Sequence, residues 1–506
     1  MTDTDSVSRR QLLQAVAGVA LLGGTRGLQA TPAGVNPLLE LTAVEAVRRM
    51  TAGEMSAERY ATALLARAVA TQHLNAFISL DHAQVLAAAR AADLARAAGK
   101  RLGALHGLPI PVKDSLNTAD YPTSAGTPAL RNFRPAEDAP LVATLRAAGA
   151  VVFGKTNLHE LSYGWTSNNL AFGAVRNPYD PSRIPGGSSG GTAAAIAAHV
   201  APLGVAEDTE GSIRVPAALC GIAGFRPSTG RYSTAAAVPI SHLFDQAGPH
   251  ARSVGDLALF DAVAANDTRA LVARPLKGVR LAIGRRYWFE GLDPEVERIS
   301  HEALQRLQAA GVELIEADVP ELAELIHLTT DQVQNHDASV ELAEFLRRYH
   351  AGIDLDELIA RASPDIQSTF RRYVLAGAPD AVSEPAYRAA VDVHLPRLRQ
   401  VFVDYFKGTG AHAVVFPATM VTAPKIGDEG LLDVGGGKLA FEVAIARNIA
   451  PGSTAALPGL VLPAGIAKDG LPVSLEFDGP AGSDRALLAL GLSLERALGG
   501  IAPPPG

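Results

Sequence analysis

Two serines and one lysine carry the chemistry that this sequence most clearly suggests. Ser188 lies in the loop Gly-Gly-Ser-Ser-Gly-Gly at 186–191, Ser212 follows in Thr-Glu-Gly-Ser-Ile-Arg, and Lys113 precedes Ser188 by 75 residues in Pro-Val-Lys-Asp. A lysine buried in a low-dielectric site loses its proton, because burial disfavours the ammonium form. A neutral lysine can take a proton from one hydroxyl while that hydroxyl takes one from a second. These three residues could therefore perform acyl transfer without a histidine.

The segments that precede Lys113 are predicted to be helices. Apolar residues recur at intervals of three and four over 42–50 and over 56–71, with Thr42 and Ser56 as N-caps. The alanine-rich segment 82–98 is predicted to be a further helix that ends near a glycine.

Short apolar runs between helices predict strands. The run 108–112 leads into Lys113, and the run 150–153 follows a helix predicted over 141–148. The glycine-rich loop leads directly into an alanine-rich helix over 192–198, and the N-terminus of such a helix presents unpaired N–H groups. Helices that alternate with short apolar strands indicate an α/β fold around a buried sheet.

In order and spacing, these segments resemble those of the amidase signature family. In that family the catalytic lysine lies in a Pro-Val-Lys-Asp segment. The bridging serine is the first serine of the glycine-rich loop and follows a cis peptide bond, and the nucleophile lies 24 residues later, which here gives 188 + 24 = 212. The resemblance therefore identifies Lys113, Ser188 and Ser212 as the catalytic residues. It extends from about residue 39 to residue 498 and is weaker over 268–414.

The resemblance implies a fold as well as a site. Residues 31–506 are expected to form one large domain with a central mixed β-sheet and helices on both faces. Within it, 268–414 would be a variable, helix-rich elaboration over the substrate entrance. The late segment 458–465 is similar to the family's closing strand.

Backbone groups around Ser212 are expected to stabilise the tetrahedral intermediate, since each preorganised donor to an oxyanion contributes about 3 kcal/mol. The resemblance implies that the donors are the N–H groups of Thr209, Glu210, Gly211 and Ser212. It also implies four residues that support the loops without taking part in the chemistry: Gly187, Ser189, Asp208 and Arg214.

Glu210 departs from the family pattern, which usually has glycine at this position. A carboxylate aimed at the oxyanion would oppose the transition state, since like charges at close range repel strongly at reduced dielectric. We therefore expect the side chain to face away from Ser212 Oγ or to be paired with another group. The alternative is that it lines the substrate pocket and favours neutral or cationic amides over anionic ones.

The resemblance predicts a serine amidohydrolase that cleaves small carboxamides to acid and ammonia or amine, without a metal or an organic cofactor. Its expected substrates are primary amides with an aromatic arm, such as mandelamide or indoleacetamide, because the run at 214–221 is similar to that of such hydrolases. An anilide, carbamate or ester hydrolase would use the same residues. The family also contains an amidotransferase subunit that transfers ammonia to aminoacyl-tRNA, and a pure binding protein would not need the lysine and serines.

The N-terminal residues 1–30 are predicted to be a twin-arginine signal peptide. Arg9 and Arg10 precede an uncharged apolar run at 12–24, and Leu-Gln-Ala at 28–30 offers a cleavage site. This predicts a periplasmic or otherwise exported protein with no stable membrane anchor after cleavage, because the run is too short to span a bilayer. If the segment were an ordinary amphipathic helix, the protein would be cytoplasmic. An exported protein would also be separated from a tRNA partner.

Composition and the remaining motifs exclude other classes. The net charge of −7 and the absence of long basic runs argue against nucleic-acid binding, and a homodimer is compatible with the sequence. Cys220, the one cysteine, is predicted to be a buried structural thiol. The segment 149–156 matches a phosphate-binding loop letter by letter, but its apolar middle predicts a strand.

The chain contains 13 histidines, but no Gly-X-Ser-X-Gly elbow accompanies them. The pair His159-Glu160 lacks the second histidine of a zinc-protease motif. One histidine, His250, lies in Gly-Pro-His-Ala-Arg and could contact substrate from a loop.

Overall fold

The computed structural model describes residues 36–505. The predicted signal peptide at 1–30 lies outside the described residues. The described part contains eleven strands that form one mixed sheet, which confirms the predicted fold class. The strands are β1 (Phe77–Ser79), β2 (Pro109–Lys113), β3 (Val151–Thr156), β4 (Leu203–Asp208), β5 (Ala223–Arg226), β6 (Gln246–Ala251), β7 (Arg280–Ile283), β8 (Glu313–Glu316), β9 (Ala413–Pro417), β10 (Gly459–Ile466) and β11 (Pro472–Asp478).

The order of strands across the sheet is β1-β3-β2-β4-β6-β5-β10-β11-β9-β7-β8. Strands β3, β2 and β4 are parallel, as are β9, β7 and β8, and the other neighbours are antiparallel. Two small hairpins, Asn168–Asn169 with Gly173–Ala174 and Leu431–Val434 with Gly437–Ala440, lie apart from it. Because β2 and β4 are parallel neighbours, their carboxyl ends meet at one edge, where ligands of α/β proteins commonly bind.

Helices surround this sheet. They are α1 (Ala43–Ala52), α2 (Ala57–Ala70), α3 (His82–Ala97), α4 (Pro140–Ala147), α5 (Gly190–Ala197), α6 (Arg214–Leu219), α7 (Val254–Ala264), α8 (Pro294–Ala309), α9 (Leu322–His327), α10 (Thr330–Arg348), α11 (Leu355–Ala360), α12 (Pro364–Thr369), α13 (Glu384–Ala389), α14 (Leu395–Thr409), α15 (Phe441–Ala446), α16 (Ala450–Thr454) and α17 (Asp484–Leu498). Shorter helical segments are the α-helical Arg285–Trp288 and, of other helix types, Gln72–Leu74, Pro128–Leu130, Glu160–Ser162, Phe370–Val374 and Ala390–His394. None of the helices in 36–505 is both long and apolar enough to cross a membrane.

Both faces of the sheet are covered by apolar packing. Along β10, Leu460 and Leu462 belong to one buried cluster and Val461 belongs to another. In β9, Val415 and Val414 alternate in the same way between two clusters. Successive side chains of a strand point to opposite faces, so each face has its own core. This arrangement makes the sheet a rigid framework for the residues at its edge.

The helices predicted from N-caps and periodicity form where expected. The side chains of Thr42 and Ser56 accept hydrogen bonds from backbone N–H groups three residues later, at 3.1 Å each. Such caps satisfy donors that the first turn leaves unpaired. The predicted strand 150–153 begins one residue later and continues to Thr156 as β3.

The segment 268–414 contributes to the framework as well as to the entrance. It supplies β7 and β8, which pair in parallel and extend one end of the main sheet. Its helices α10 and α12 reach the cavity described below. The expectation of a helix-rich elaboration therefore omitted two strands, which are four residues long and too short to show a clear pattern.

Candidate active site

Lys113 is the last residue of β2 and is completely buried. Its Nζ donates hydrogen bonds to Ser188 Oγ at 2.7 Å and to Glu207 Oε2 at 2.8 Å. Burial lowers the pKa of Lys113, and the nearby Glu207 carboxylate opposes that shift. A neutral amine in this position is in contact with the hydroxyl from which it would take a proton.

The glycine-rich loop places Ser188 through contacts that leave no room for side chains. The peptide bond between Gly187 and Ser188 is cis, as the family resemblance implied. A Cβ at Gly187 would lie 2.8 Å from Thr166 N, so only glycine fits there. Ser189 Oγ donates to the carbonyl of Glu207 at 2.9 Å, which ties the loop to β4.

Ser212 lies between β4 and α6 and is the member of the set that reaches the cavity. The glycine-rich loop packs against the start of α6, because a Cβ at Gly186 would lie 2.9 Å from Pro216 Cα. Among residues 36–505, hydrogen bonds join Lys113 to Ser188 and do not join Ser188 to Ser212. Lys113 and Ser188 are fully buried, and Ser212 is 5% exposed.

Asp208, at the end of β4, holds the Ser212 loop through a buried ion-pair network. Its carboxylate pairs with Arg214 Nε at 3.1 Å and with Arg226 Nη1 at 3.0 Å. Arg214 also pairs with Glu476 on β11 at 2.6 Å. Burial alone would raise the pKa of Asp208, but the two arginines hold it well below its usual range. The Asp208–Arg214 pair therefore has the supporting geometry that the resemblance implied.

One of the four expected oxyanion donors is already in use. The Gly211 N–H donates to Asp208 Oδ1 at 2.7 Å, so the expectation that it faces the oxyanion is corrected. The N–H groups of Thr209, Glu210 and Ser212 are not engaged by this carboxylate. Sequence alone could not show this, because it depends on how the aspartate turns towards its own loop.

Glu207 is a site residue that the sequence analysis missed. Its Oε2 accepts hydrogen bonds from Lys113 Nζ and, at 3.0 Å, from Ser162 Oγ. Its Oε1 accepts from Thr209 Oγ1 at 3.2 Å, and that hydroxyl also lies 2.7 Å from Asp245 Oδ1. The sequence shows Glu207 and Asp208 as an acidic pair at the end of an otherwise apolar strand, but not the contact of Glu207 with Lys113.

A cavity of about 490 Å³ opens at Ser212. Its apolar walls include Tyr163, Trp165, Ile240, Ile366, Tyr373 and Phe441. Its acidic groups are Glu210, Asp331, Asp365, Glu429 and Glu442. None of the described residues that line it is a lysine or an arginine. The cavity is therefore suited to an aromatic group and is electrostatically unfavourable for an anion.

Glu210 is both paired and part of the cavity wall. Its Oε2 accepts a hydrogen bond from Gln334 Nε2 at 2.8 Å, and the same amide nitrogen lies 2.9 Å from Asp331 Oδ1. Burial, with the Asp331 charge, raises the pKa of Glu210 to about 8. The side chain is thus largely protonated at neutral pH. The two hypotheses for this residue, pairing and pocket lining, are compatible.

Comparison with known proteins identifies the family. A family model described as Amidase matches residues 59–488. The chain belongs to the amidase signature family. It is 37% identical to indoleacetamide hydrolase from Agrobacterium vitis over 437 residues, which cover 86% of this chain and 92% of that protein. It is 35% identical to mandelamide hydrolase from Pseudomonas putida over 477 residues, which cover 91% and 92% respectively.

Solved structures of amidases have the same fold. A crystal structure of an amidase aligns with a TM-score of 0.82 at 32% identity and covers 91% of this chain and 100% of that one. The native peptide amidase from Stenotrophomonas maltophilia aligns with a TM-score of 0.79 at 28% identity, with 93% and 99% covered. The predicted family and fold are therefore confirmed, and this amidase is a hydrolase that acts on amides.

Two other predictions are settled by the structure of this amidase. His250 lies in the buried strand β6, where its Nε2 is 2.6 Å from the Ile213 carbonyl, so it is not a loop residue that contacts substrate. The Gly-Pro that precedes it suggested a loop, but the strand is central in the sheet. Cys220 is buried, and burial raises the pKa of its thiol, as expected for a structural cysteine.

Within the segment 149–156, which matches a phosphate-binding loop, residues Val151–Thr156 form β3, as the apolar middle predicted. Lys155 is buried and pairs with Asp114 at 3.2 Å. The chain after β3 forms the short helical turn Glu160–Ser162.

One group of possible metal ligands lies away from Ser212. Ligand atoms of His242, Asp337 and Glu341 lie within 4.8 Å of one another. Each of these side chains has a hydrogen-bond partner in the protein, since Ser241 Oγ donates to Asp337 and His242 bonds with Glu341. None of the three lines the cavity.

Proposed function

We propose that this amidase hydrolyses small aryl-substituted primary amides to a carboxylic acid and ammonia through an acyl-enzyme on Ser212. The observation that carries the proposal is the 2.7 Å contact between the fully buried Lys113 Nζ and Ser188 Oγ. That contact places a base of lowered pKa on the hydroxyl that would serve as the bridge. The sequence positions of all three residues match the family motif.

In the first half-reaction, Lys113 Nζ accepts the Ser188 hydroxyl proton while Ser188 Oγ accepts the proton of Ser212. The Ser212 oxygen then forms a bond to the amide carbon, and the carbonyl oxygen becomes an oxyanion. The N–H groups of Thr209, Glu210 and Ser212 are the proposed donors to that oxyanion, each worth about 3 kcal/mol. The carbon–nitrogen bond breaks as Ser188 returns a proton to the departing nitrogen, which leaves as ammonia.

In the second half-reaction, water attacks the ester formed on Ser212. The same relay removes a proton from the water and returns one to Ser212 Oγ, so the acid is released and the enzyme is restored. No metal or organic cofactor enters these steps.

The preference for an aromatic arm rests on the cavity and on the relatives. Tyr163, Trp165, Tyr373 and Phe441 supply aromatic surface beside Ser212, and aromatic rings pack favourably against one another. Two relatives of about 35% identity are named for amides with aromatic arms, indoleacetamide and mandelamide.

A panel of amides tests the substrate proposal. We expect primary amides with an aromatic arm to give the highest kcat/KM, above aliphatic primary amides of equal length, anilides, carbamates and esters. Ammonia release and acid formation should be equal in amount. A higher kcat/KM for anilides or carbamates than for every primary amide would contradict the proposal.

We also propose that the protein is exported by the twin-arginine route, on the evidence of Arg9, Arg10 and the apolar run that follows. Residues 1–30 fused to a folded reporter should direct it to the periplasm. The paired change Arg9→Lys and Arg10→Lys should retain the reporter in the cytoplasm. Export of the paired variant at the unchanged rate would contradict this route.

A further inference from the structure

The buried carboxylate of Glu207 contacts the amine that has to act as a base. Its Oε2 lies 2.8 Å from Lys113 Nζ, and the two side chains are 2% and 0% exposed. A carboxylate at this distance favours the ammonium form of lysine, which cannot accept a proton. An apolar or hydroxyl residue would avoid this effect, so the presence of Glu207 calls for a reason.

The other titratable groups that face Lys113 do not provide the charge that contacts its Nζ. Asp208 is held by two arginines. His159 and His250 are buried, and burial lowers the pKa of each to about 4, so both are neutral at working pH. Asp245 is buried, and burial together with the Glu207 charge raises its pKa to about 8. Glu207 is therefore the acid in direct contact with Nζ.

The relay creates a positive charge at this point. When Lys113 receives the proton that Ser212 gives up through Ser188, an ammonium forms in a buried site, and an unpaired buried cation is costly. A carboxylate 2.8 Å away compensates for that charge as it develops. This form of stabilisation is strongest in the intermediate and therefore lowers the barrier.

We propose that Glu207 is a positioning residue that holds Lys113 Nζ on Ser188 Oγ and stabilises the ammonium formed during the reaction. The inference rests on the proposed relay of Lys113, Ser188 and Ser212. The same carboxylate lowers activity at acid pH, since it keeps a proton on Lys113 at a pH where an isolated buried lysine would have lost it.

Glu207→Gln tests this role because it removes the charge and preserves the shape. We expect kcat for an aryl primary amide to fall by at least about tenfold, with KM nearly unchanged, since general-base catalysis contributes about 10²–10⁴-fold in all. We also expect the acid limb of the kcat profile to move to lower pH, because Lys113 without the carboxylate is neutral over a wider range. A purely structural role would lower stability or kcat without moving that limb.

Glu160→Gln is the matched control. Glu160 is a buried glutamate that accepts a hydrogen bond from the Ser363 N–H and contacts neither Lys113 nor the cavity. Its variant should keep the wild-type acid limb. Thermal melting of both variants separates loss of fold from loss of function. If Glu207→Gln does not fold, Glu207→Asp serves instead: it keeps a carboxylate, so kcat should fall while the acid limb stays in place.

The outcomes separate this inference from the proposed function. An acid limb that stays in place or moves to higher pH in Glu207→Gln overturns the role of Glu207, as does an unchanged kcat. An acid limb that moves to lower pH in Glu207→Asp overturns it as well. Turnover by Ser212→Ala would instead overturn the relay itself. An inactive Ser212→Ala together with a wild-type profile for Glu207→Gln would leave the relay standing and remove only Glu207 from it.

Discussion

At the scale of single residues, the site depends on one lysine kept away from water. Lys113 is fully buried and its pKa is lowered by that burial, so it can exist as a free amine where an exposed lysine would be charged. The hydroxyl of Ser188 is its immediate partner. In the proposed relay a lysine and a serine would take the part that a histidine has in the Ser-His-Asp hydrolases.

Substitution of the three proposed catalytic residues should reveal that they act as a unit. Ser212→Ala should abolish turnover, Lys113→Ala should be nearly as severe, and Ser188→Ala somewhat less so. The double variant Lys113→Ala/Ser212→Ala should be no worse than Ser212→Ala, because effects within one relay do not add. Steady-state kcat/KM for each variant is the measurement. Losses that multiply in the double variant would contradict a shared relay.

The three proposed catalytic residues and the buried Asp208–Arg214 pair could be singled out from the sequence because they lie in contiguous motifs. Glu207 could not be assigned in this way, since its contact with Lys113 depends on the parallel pairing of β2 and β4, which joins residues 94 positions apart. The use of the Gly211 N–H by Asp208 likewise depends on a side-chain orientation that no motif encodes.

At the scale of elements, the cavity is built where the Ser212 loop meets helix α10. Gln334 of α10 bonds to Glu210 of the loop, and Asp331 lies one turn earlier on the same helix. Helix α10 thus places Asp331 beside Glu210 of the Ser212 loop. Sequence alone predicted helices in this region, but which helix would cover the loop depends on tertiary packing.

Glu210→Gln should change substrate preference rather than catalytic power. A charge about 8 Å from an anionic group costs about 2 kcal/mol at an effective dielectric constant of ~20. Removing the Glu210 charge should therefore raise kcat/KM for an anionic amide by about thirtyfold relative to a neutral amide of equal size. The gain should be largest above pH 8, because the pKa of about 8 leaves this carboxyl mostly uncharged below that value.

Glu160→Gln is the control for the Glu210 experiment, because Glu160 is a buried glutamate that does not line the cavity. It should leave the ratio of anionic to neutral turnover unchanged at every pH. An identical ratio in Glu210→Gln and wild type would show that Glu210 has no part in selecting substrate.

At the scale of the whole molecule, one buried charge network connects the active-site loop to the middle of the sheet. Asp208 ends β4, Arg226 ends β5, and Arg214 of α6 reaches Glu476 of β11. The loop of Ser212 is therefore fixed by the same contacts that hold several strands together. Stability and catalysis should respond together when this network is broken.

Asp208→Asn should destabilise the fold as well as the site. Removing one partner of a buried ion pair costs about 3–5 kcal/mol, because it leaves an uncompensated charge. We expect the free energy of unfolding to fall by about that amount in urea titrations, and kcat to fall with it. Glu357→Gln, which breaks an exposed pair with Arg361, should have no measurable effect. Equal stability of the Asp208→Asn and Glu357→Gln proteins would contradict a structural role for this network.

Mass spectrometry of the enzyme during turnover tests most directly whether Ser212 is the nucleophile. The protein is quenched in acid while it hydrolyses a slow aryl ester or amide, and its peptides are then mapped. The mechanism predicts an acyl group on the peptide that contains Ser212, at the oxygen of that residue, and no such adduct in Ser212→Ala. An acyl group on another residue, or turnover by Ser212→Ala at even a tenth of the wild-type rate, would contradict it.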